Sequence, residues 1–159
     1  MNNNDILRRL RYAFDLSNAD AVTAFSANPL SQVSMDNAGL QARLLKQEEA
    51  GYELCTDLEL NAFLDGLIVK RRGLKDPPPN AKPVSKDLRL SRNDILKKLR
   101  IAMNFRDEDM LETLAAGGSD LSKSELGAFF RKPGHKHYRA CGNQVLRNFI
   151  SGLTKALRP

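Results

Sequence analysis

The stretch NDILRRLRYAFDL, Asn4 to Leu16, returns as NDILKKLRIAMNF, Asn93 to Phe105, at an offset of 89 (93 − 4). A second pair follows the same rule. YELCTDLELNAFLDGL, Tyr52 to Leu67, returns as YRACGNQVLRNFISGL, Tyr138 to Leu153, at an offset of 86 (138 − 52) and with the shared frame Y-x-x-C-x4-L-x-x-F-x-x-G-L. Self-similarity at this period marks a duplicated module, and it decides the architecture before any local reading. The drop in offset gives the first copy three additional residues. They are assigned to the Ser26–Gln32 region, where Asn28 and Pro29 signal a loop.

Inside each copy the apolar spacing is helical. Ile6, Leu7, Leu10, Ala13 and Phe14 share one face of a helix whose other faces carry Arg8, Arg9 and Arg11. Asn4 and its repeat Asn93 stand as N-cap candidates, each followed by an aspartate that suits the helix dipole. Thr56 with Glu59 and Ser122 with Glu125 fit the capping box. Four helices are expected per copy: one at NDIL, one near Asn18–Phe25 or Asp107–Ala115, one near Ser34–Lys46 or Ser122–Arg131, and the last through Leu60–Ile68 or Leu146–Leu153. Gly66 and Gly152 sit inside the last helix, where glycine costs about 1 kcal/mol against alanine, so their repetition predicts a close helix crossing. No two-residue alternation or hairpin signal appears, and the expected fold class is all-α. The copies are placed at residues 1–72 and 93–159. Between them residues 73–92, with Pro77, Pro78, Pro79 and Pro83, form a Pro-rich linker that cannot continue a helix. A module of this size is marginal alone, so the copies are expected to pack together or the chain to oligomerise.

With these residues in view, NNNDILRRLRYAF, the repeated NDILKKLRIAMN, and LSKSELGAFFRKPGHKHYRAC followed by VLRNFISGL resemble the YehS-like bacterial proteins. The resemblance spans essentially the whole chain. It implies a cytoplasmic, all-helical, duplicated protein, and brings no assigned reaction, cofactor or substrate.

Composition agrees with an ordinary folded chain. The 159 residues are 42% hydrophobic and 28% charged, and no run approaches the roughly 18 to 20 apolar residues of a membrane span. The start lacks the features of a signal peptide, so the expected location is the cytoplasm, without membrane association. Cys55 and Cys141 cannot build a disulfide framework and are expected to remain thiols.

Charge distinguishes the copies. Residues 1–72 hold 8 basic and 10 acidic side chains, residues 73–92 hold 5 and 2, and residues 93–159 hold 12 and 7. No carboxylate side chain follows Glu125, whereas Arg131, Lys132, Lys136, Arg139, Arg147, Lys155 and Arg158 do. The densest stretch is RKPGHKHYR, Arg131 to Arg139, read as a turn at Pro133-Gly134 between two helices. The repeat supplies an internal control. At offset 86 the places of Pro133 to Arg139 are taken in the first copy by QEEAGYE, Gln47 to Glu53. Tyr and Cys persist while the charge reverses. Tyr52/Tyr138 and Cys55/Cys141 are therefore read as packing positions, and the basic residues as free of the fold.

A connector with four Lys/Arg, two His and a Tyr suits phosphate and bases, through guanidinium forks, ammonium point charge and aromatic stacking. The expected binding residues are Arg131, Lys132, His135, Lys136, His137, Tyr138 and Arg139. Arg8, Arg9 and Arg11, with Lys97, Lys98 and Arg100, are expected to form an exposed helix face. Catalytic patterns are missing: there is no phosphate-binding glycine loop, dinucleotide fingerprint or nucleophile elbow. His135-x-His137-x3-Cys141 matches no standard zinc spacing, and a Cys/His nucleophile pair has no further support. The function expected is non-enzymatic, without cofactor or metal: low-specificity nucleic-acid contact through the basic loop. The alternative is a protein-interaction or self-assembly module joining the acidic loop Glu48–Glu53 to a basic loop. An unrecognised small enzyme or metal protein is the third reading.

Overall fold

A computed structural model describes residues 1–159. It contains eight α-helices and no strand: α1 Asn3–Ala13, α2 Asn18–Ala24, α3 Asn37–Leu44, α4 Asp57–Arg72, α5 Arg92–Met103, α6 Asp107–Ala116, α7 Lys123–Ala128 and α8 Asn143–Leu157. The chain is all-α, as the apolar spacing predicts. Two compact units divide between Leu90 and Ser91, with four helices each.

In the first unit the face of α1 predicted to be apolar is sealed: Ile6, Leu7, Leu10 and Ala13 have no solvent exposure. Against it lie Leu60, Phe63, Leu64 and Leu67 of α4, and Phe63 meets Phe25 with ring centroids 5.3 Å apart. A 3-10 turn, Pro29–Ser31, falls where the first copy has its three additional residues. In the second unit Ile95, Leu96 and Leu99 of α5 and Leu146, Phe149 and Leu153 of α8 are buried in the corresponding places. Phe105 approaches Phe149 edge-on at 6.5 Å.

The repeated glycines mark helix crossings. A Cβ on Gly66 would stand 1.9 Å from the Ala24 carbonyl oxygen, and one on Gly152 would stand 1.9 Å from that of Thr113. Ala24 and Thr113 are themselves partners at offset 89. α2 against α4 and α6 against α8 therefore cross at one equivalent point in each unit, backbone to backbone.

Both predicted capping boxes, Thr56/Glu59 and Ser122/Glu125, are present. The expected role of Asn4 and Asn93 needs correction. The caps of α1 and α5 are Asn2 and Ser91, each reciprocated by the aspartate at the third helical position. Asn4 and Asn93 lie inside the helices and are buried, 0% and 8% exposed. Asn4 Nδ2 donates to the carbonyls of Arg43 and Glu53, and its Oδ1 accepts from the Cys55 N–H and the Tyr52 hydroxyl. Asn93 Nδ2 donates to the carbonyls of Phe129 and Arg139, and its Oδ1 accepts from the Cys141 N–H. Three of these bonds are equivalent between units. One amide thus clamps both ends of the loop that leads to the last helix, satisfying backbone groups that burial would otherwise leave orphaned.

Residues 73–90 carry no helix. Two bonds attach this segment to the first unit: the Val84 N–H donates to the Leu30 carbonyl at 2.8 Å, and the Leu90 N–H to Asp57 Oδ2 at 3.0 Å. Ser91 and Arg92 already belong to the start of α5.

Candidate nucleic-acid interface

The loop from Arg131 to Arg139 is built by its backbone. The His135 N–H donates to the Lys132 carbonyl across Pro133-Gly134, with Gly134 at φ +94°, the conformation that favours glycine at the third position of a type II turn. A second turn follows, from the Tyr138 N–H to the His135 carbonyl at 2.9 Å. The Arg139 N–H then returns to the Ala128 carbonyl at 3.1 Å. The first unit makes the same three bonds at offset 86: Glu49 to Lys46, Tyr52 to Glu49, and Glu53 to Ala42. None of them uses a side chain. Opposite charge is therefore carried on the same hydrogen-bonded frame.

Of the seven residues expected to bind, Arg131, Lys132, His135, Lys136, His137 and Arg139 are exposed, and Tyr138 is half-buried. Arg131, Lys132 and Lys136 take part in no ion pair. Arg139 departs from the expectation of a wholly free residue. Its guanidinium reaches Glu125 at 3.4 Å and lies over the Phe129 ring at 5.8 Å. The contact is long, and both side chains remain about half exposed, 56% and 46%. The Glu125 carboxyl is held below its ordinary range mainly by the Ser122 N–H and hydroxyl, with Arg139 adding less.

Cys55 is buried as the frame predicts, and so is Cys141. Tyr52 packs half-buried with its hydroxyl on Asn4; Tyr138 is half-buried too, but its hydroxyl makes no such bond to Asn93. Burial pushes the Cys55 thiol up to about 12 and the Cys141 thiol up to about 11, so neither supplies thiolate at neutral pH. The His135 and His137 rings lie 5.6 Å apart, and His135 Nδ1 accepts from the His137 N–H.

The basic face expected on α1 and α5 is only partly exposed. Arg8 bridges to Asp5 and donates to the Leu45 carbonyl, and Arg11 donates to Asn18. Arg100 pairs with Asp107 at 2.8 Å and lies 4.9 Å from the Phe130 centroid. Arg9 and Lys97 remain exposed. Sequence periodicity could not separate these cases, because the partners come from other segments.

Lys97 belongs to the site, although its helix was read as a solvated face. With Asp94, Phe129, Phe130, Arg131, Lys132 and Tyr138 it lines a cleft of about 160 Å³. A second cleft, about 550 Å³, lies between α7 and the loop and is lined by Glu125, Arg131, Lys136, His137, Tyr138 and Arg139. The sequence carries no signal for Lys97: its counterpart is Arg8, and only the two bonds of Arg8 in the structure show that this position closes the same corner of the first unit.

Fold and loop together define an all-helical tandem-repeat protein with one cationic loop. The chain belongs to the family described as "Protein of unknown function (DUF1456)", which matches residues 3–73 and 92–158, one match per unit. It is similar to "Uncharacterized protein YehS" of Escherichia coli (strain K12), 37% identical over 153 residues, covering 96% of this chain and 94% of that protein. No solved structure matches it. No helix is long and apolar enough to cross a membrane.

Proposed function

We propose that this is a cytoplasmic, non-enzymatic protein that holds nucleic acid through the basic loop of its second unit, with little base specificity. The observation that carries the reading is the exposure of Arg131, Lys132 and Lys136 without ion-pair partners, on a loop whose backbone bonds do not need them. Arg139 joins them by exchanging its long contact with Glu125 for a phosphate. Buried, unpaired thiols suit a reducing compartment.

The test is fluorescence anisotropy with labelled DNA and RNA across salt. Four phosphate contacts to a single strand predict a log–log salt slope of about −3, at about 0.7 per contact. Arg131→Glu, Lys132→Glu and Lys136→Glu combined should abolish binding and leave the helical circular dichroism intact. Absence of binding to either polymer at low salt would refute the reading.

Self-assembly through the acidic loop has a narrower basis. Glu53 is held by Arg43 at 3.1 Å, and Glu49 accepts from the Lys46 N–H, which leaves Glu48. Sedimentation in which mass rises with concentration and is reset by Lys136→Glu would favour it.

A further inference from the structure

The two clefts of the second unit adjoin, and Arg131 and Tyr138 line both. The first contributes Lys97 and Lys132, the second Lys136 and Arg139, so each flank of Tyr138 carries cations. Each also carries one carboxylate. Asp94 is occupied by the Ser91 cap, and Glu125 by the Ser122 cap as well as by Arg139.

In the first unit internal bonds hold the groups at these positions. Arg8, at the place of Lys97, uses its fork on Asp5 and the Leu45 carbonyl, and Tyr52, at the place of Tyr138, spends its hydroxyl on Asn4. Gly39, Leu45, Ala50 and Gly51 stand where the second unit has Glu125, Arg131, Lys136 and His137. Lys97 forms no ion pair, and the Tyr138 hydroxyl is not tied to Asn93. Groups that are satisfied internally in one copy are thus released in the other, together, around one aromatic ring.

We infer that the ligand is a single strand, threaded across both clefts, with a base stacked on Tyr138 and successive phosphates at Lys97–Arg131 and Lys136–Arg139. This rests on the nucleic-acid reading above and narrows it. A duplex presents a convex phosphate surface with its bases already stacked, whereas an aromatic wall between two clefts suits unstacked bases.

The experiment compares a labelled single strand of about ten nucleotides, a duplex of the same sequence and the mononucleotide as competitor, using the full chain. The strand should bind more tightly than the duplex, and the mononucleotide should compete only weakly. Tyr138→Ala should weaken strand binding roughly tenfold while Tyr138→Phe keeps it, since stacking needs the ring and not the hydroxyl. If Tyr138→Ala fails to fold, Tyr138→Leu fills the position without a ring and must show the same loss. Equal or tighter duplex binding overturns this inference and leaves the electrostatic reading standing. Full competition by mononucleotide, or a leucine variant that binds normally, also overturns it. Silence of both polymers at low salt removes both proposals.

Discussion

The loops at residues 45–53 and 131–139 share three backbone hydrogen bonds and an asparagine clamp, yet they use charge in opposite ways. In the first, Arg43 on α3 is about 15% exposed and bridges Glu53 at 3.1 Å and Glu59 at 2.9 Å, so these charges are spent inside the unit. In the second, Phe129 replaces Arg43 and Arg139 replaces Glu53. The Arg43–Glu53 pair, its carboxylate 61% exposed, becomes an arginine lying over a ring, and Arg131 and Lys136 stand outward where the first loop has Leu45 and Ala50, while Lys132 repeats the exposed Lys46. What the two loops have in common is what folding requires. What separates them is available for a partner.

The largest effects should come from breaking the shared part. Asn4→Ala strands two carbonyls, a hydroxyl and an N–H in the first unit, and Asn93→Ala strands two carbonyls and an N–H in the second. Losses of about 3 kcal/mol are expected in urea denaturation, greater for Asn4 because of its fourth bond. Equal, small losses would mean that water replaces the amide.

Next come the crossings. Alanine ordinarily stabilises a helix interior relative to glycine by about 1 kcal/mol, but a Cβ 1.9 Å from a carbonyl oxygen forces the helices apart. Gly66→Ala and Gly152→Ala should each destabilise by about 2 kcal/mol, with matching values because the crossings are equivalent. A stabilised variant would contradict the packing.

Alkali should separate the units by a smaller margin. Well below pH 9, at neutral pH, both thiols are protonated whether folded or unfolded, so they add no pH dependence there. Above it the unfolded chain ionises while Cys55 and Cys141, raised to about 12 and about 11, hold their protons. Stability therefore falls as pH rises from 9, by at most about 1.4 kcal/mol per pH unit for each thiol, and Cys141 ceases to contribute sooner. Replacing Cys141 by Ala should flatten part of that fall in thermal melts taken from pH 8 to 11.

The smallest effect expected is that of Arg139→Ala. Its carbonyl serves the Asn93 clamp in any residue, and its side chain makes one long, half-exposed ion pair and a 5.8 Å approach to the Phe129 ring, so the melting temperature should move little. Arg43→Ala, by contrast, leaves Glu59 largely buried without its partner and should lower it measurably.

Much of this was legible from the repeat. Helix positions followed from apolar spacing, the crossings from Gly66 and Gly152, and the caps from Thr56/Glu59 and Ser122/Glu125. Asn4 and Asn93 were misread because a small polar residue near a helix start fits a cap equally well. The distinguishing sign is which position varies. The true cap is Asn2 in one copy and Ser91 in the other, since only an acceptor oxygen is needed there. The clamp is Asn in both, since it needs an amide that donates and accepts. The ion pair of Arg139, the anchoring of Arg8 and Arg100, and the exposure of Lys97 depend on contacts between distant segments. No local pattern carries them.

Transplanting residues 45–53 onto positions 131–139 tests the central claim most directly, because the two loops share their backbone bonds. The account predicts a chain that melts close to the original and has lost its affinity for a single strand at low salt. Undiminished binding, or collapse of the second unit, would contradict it.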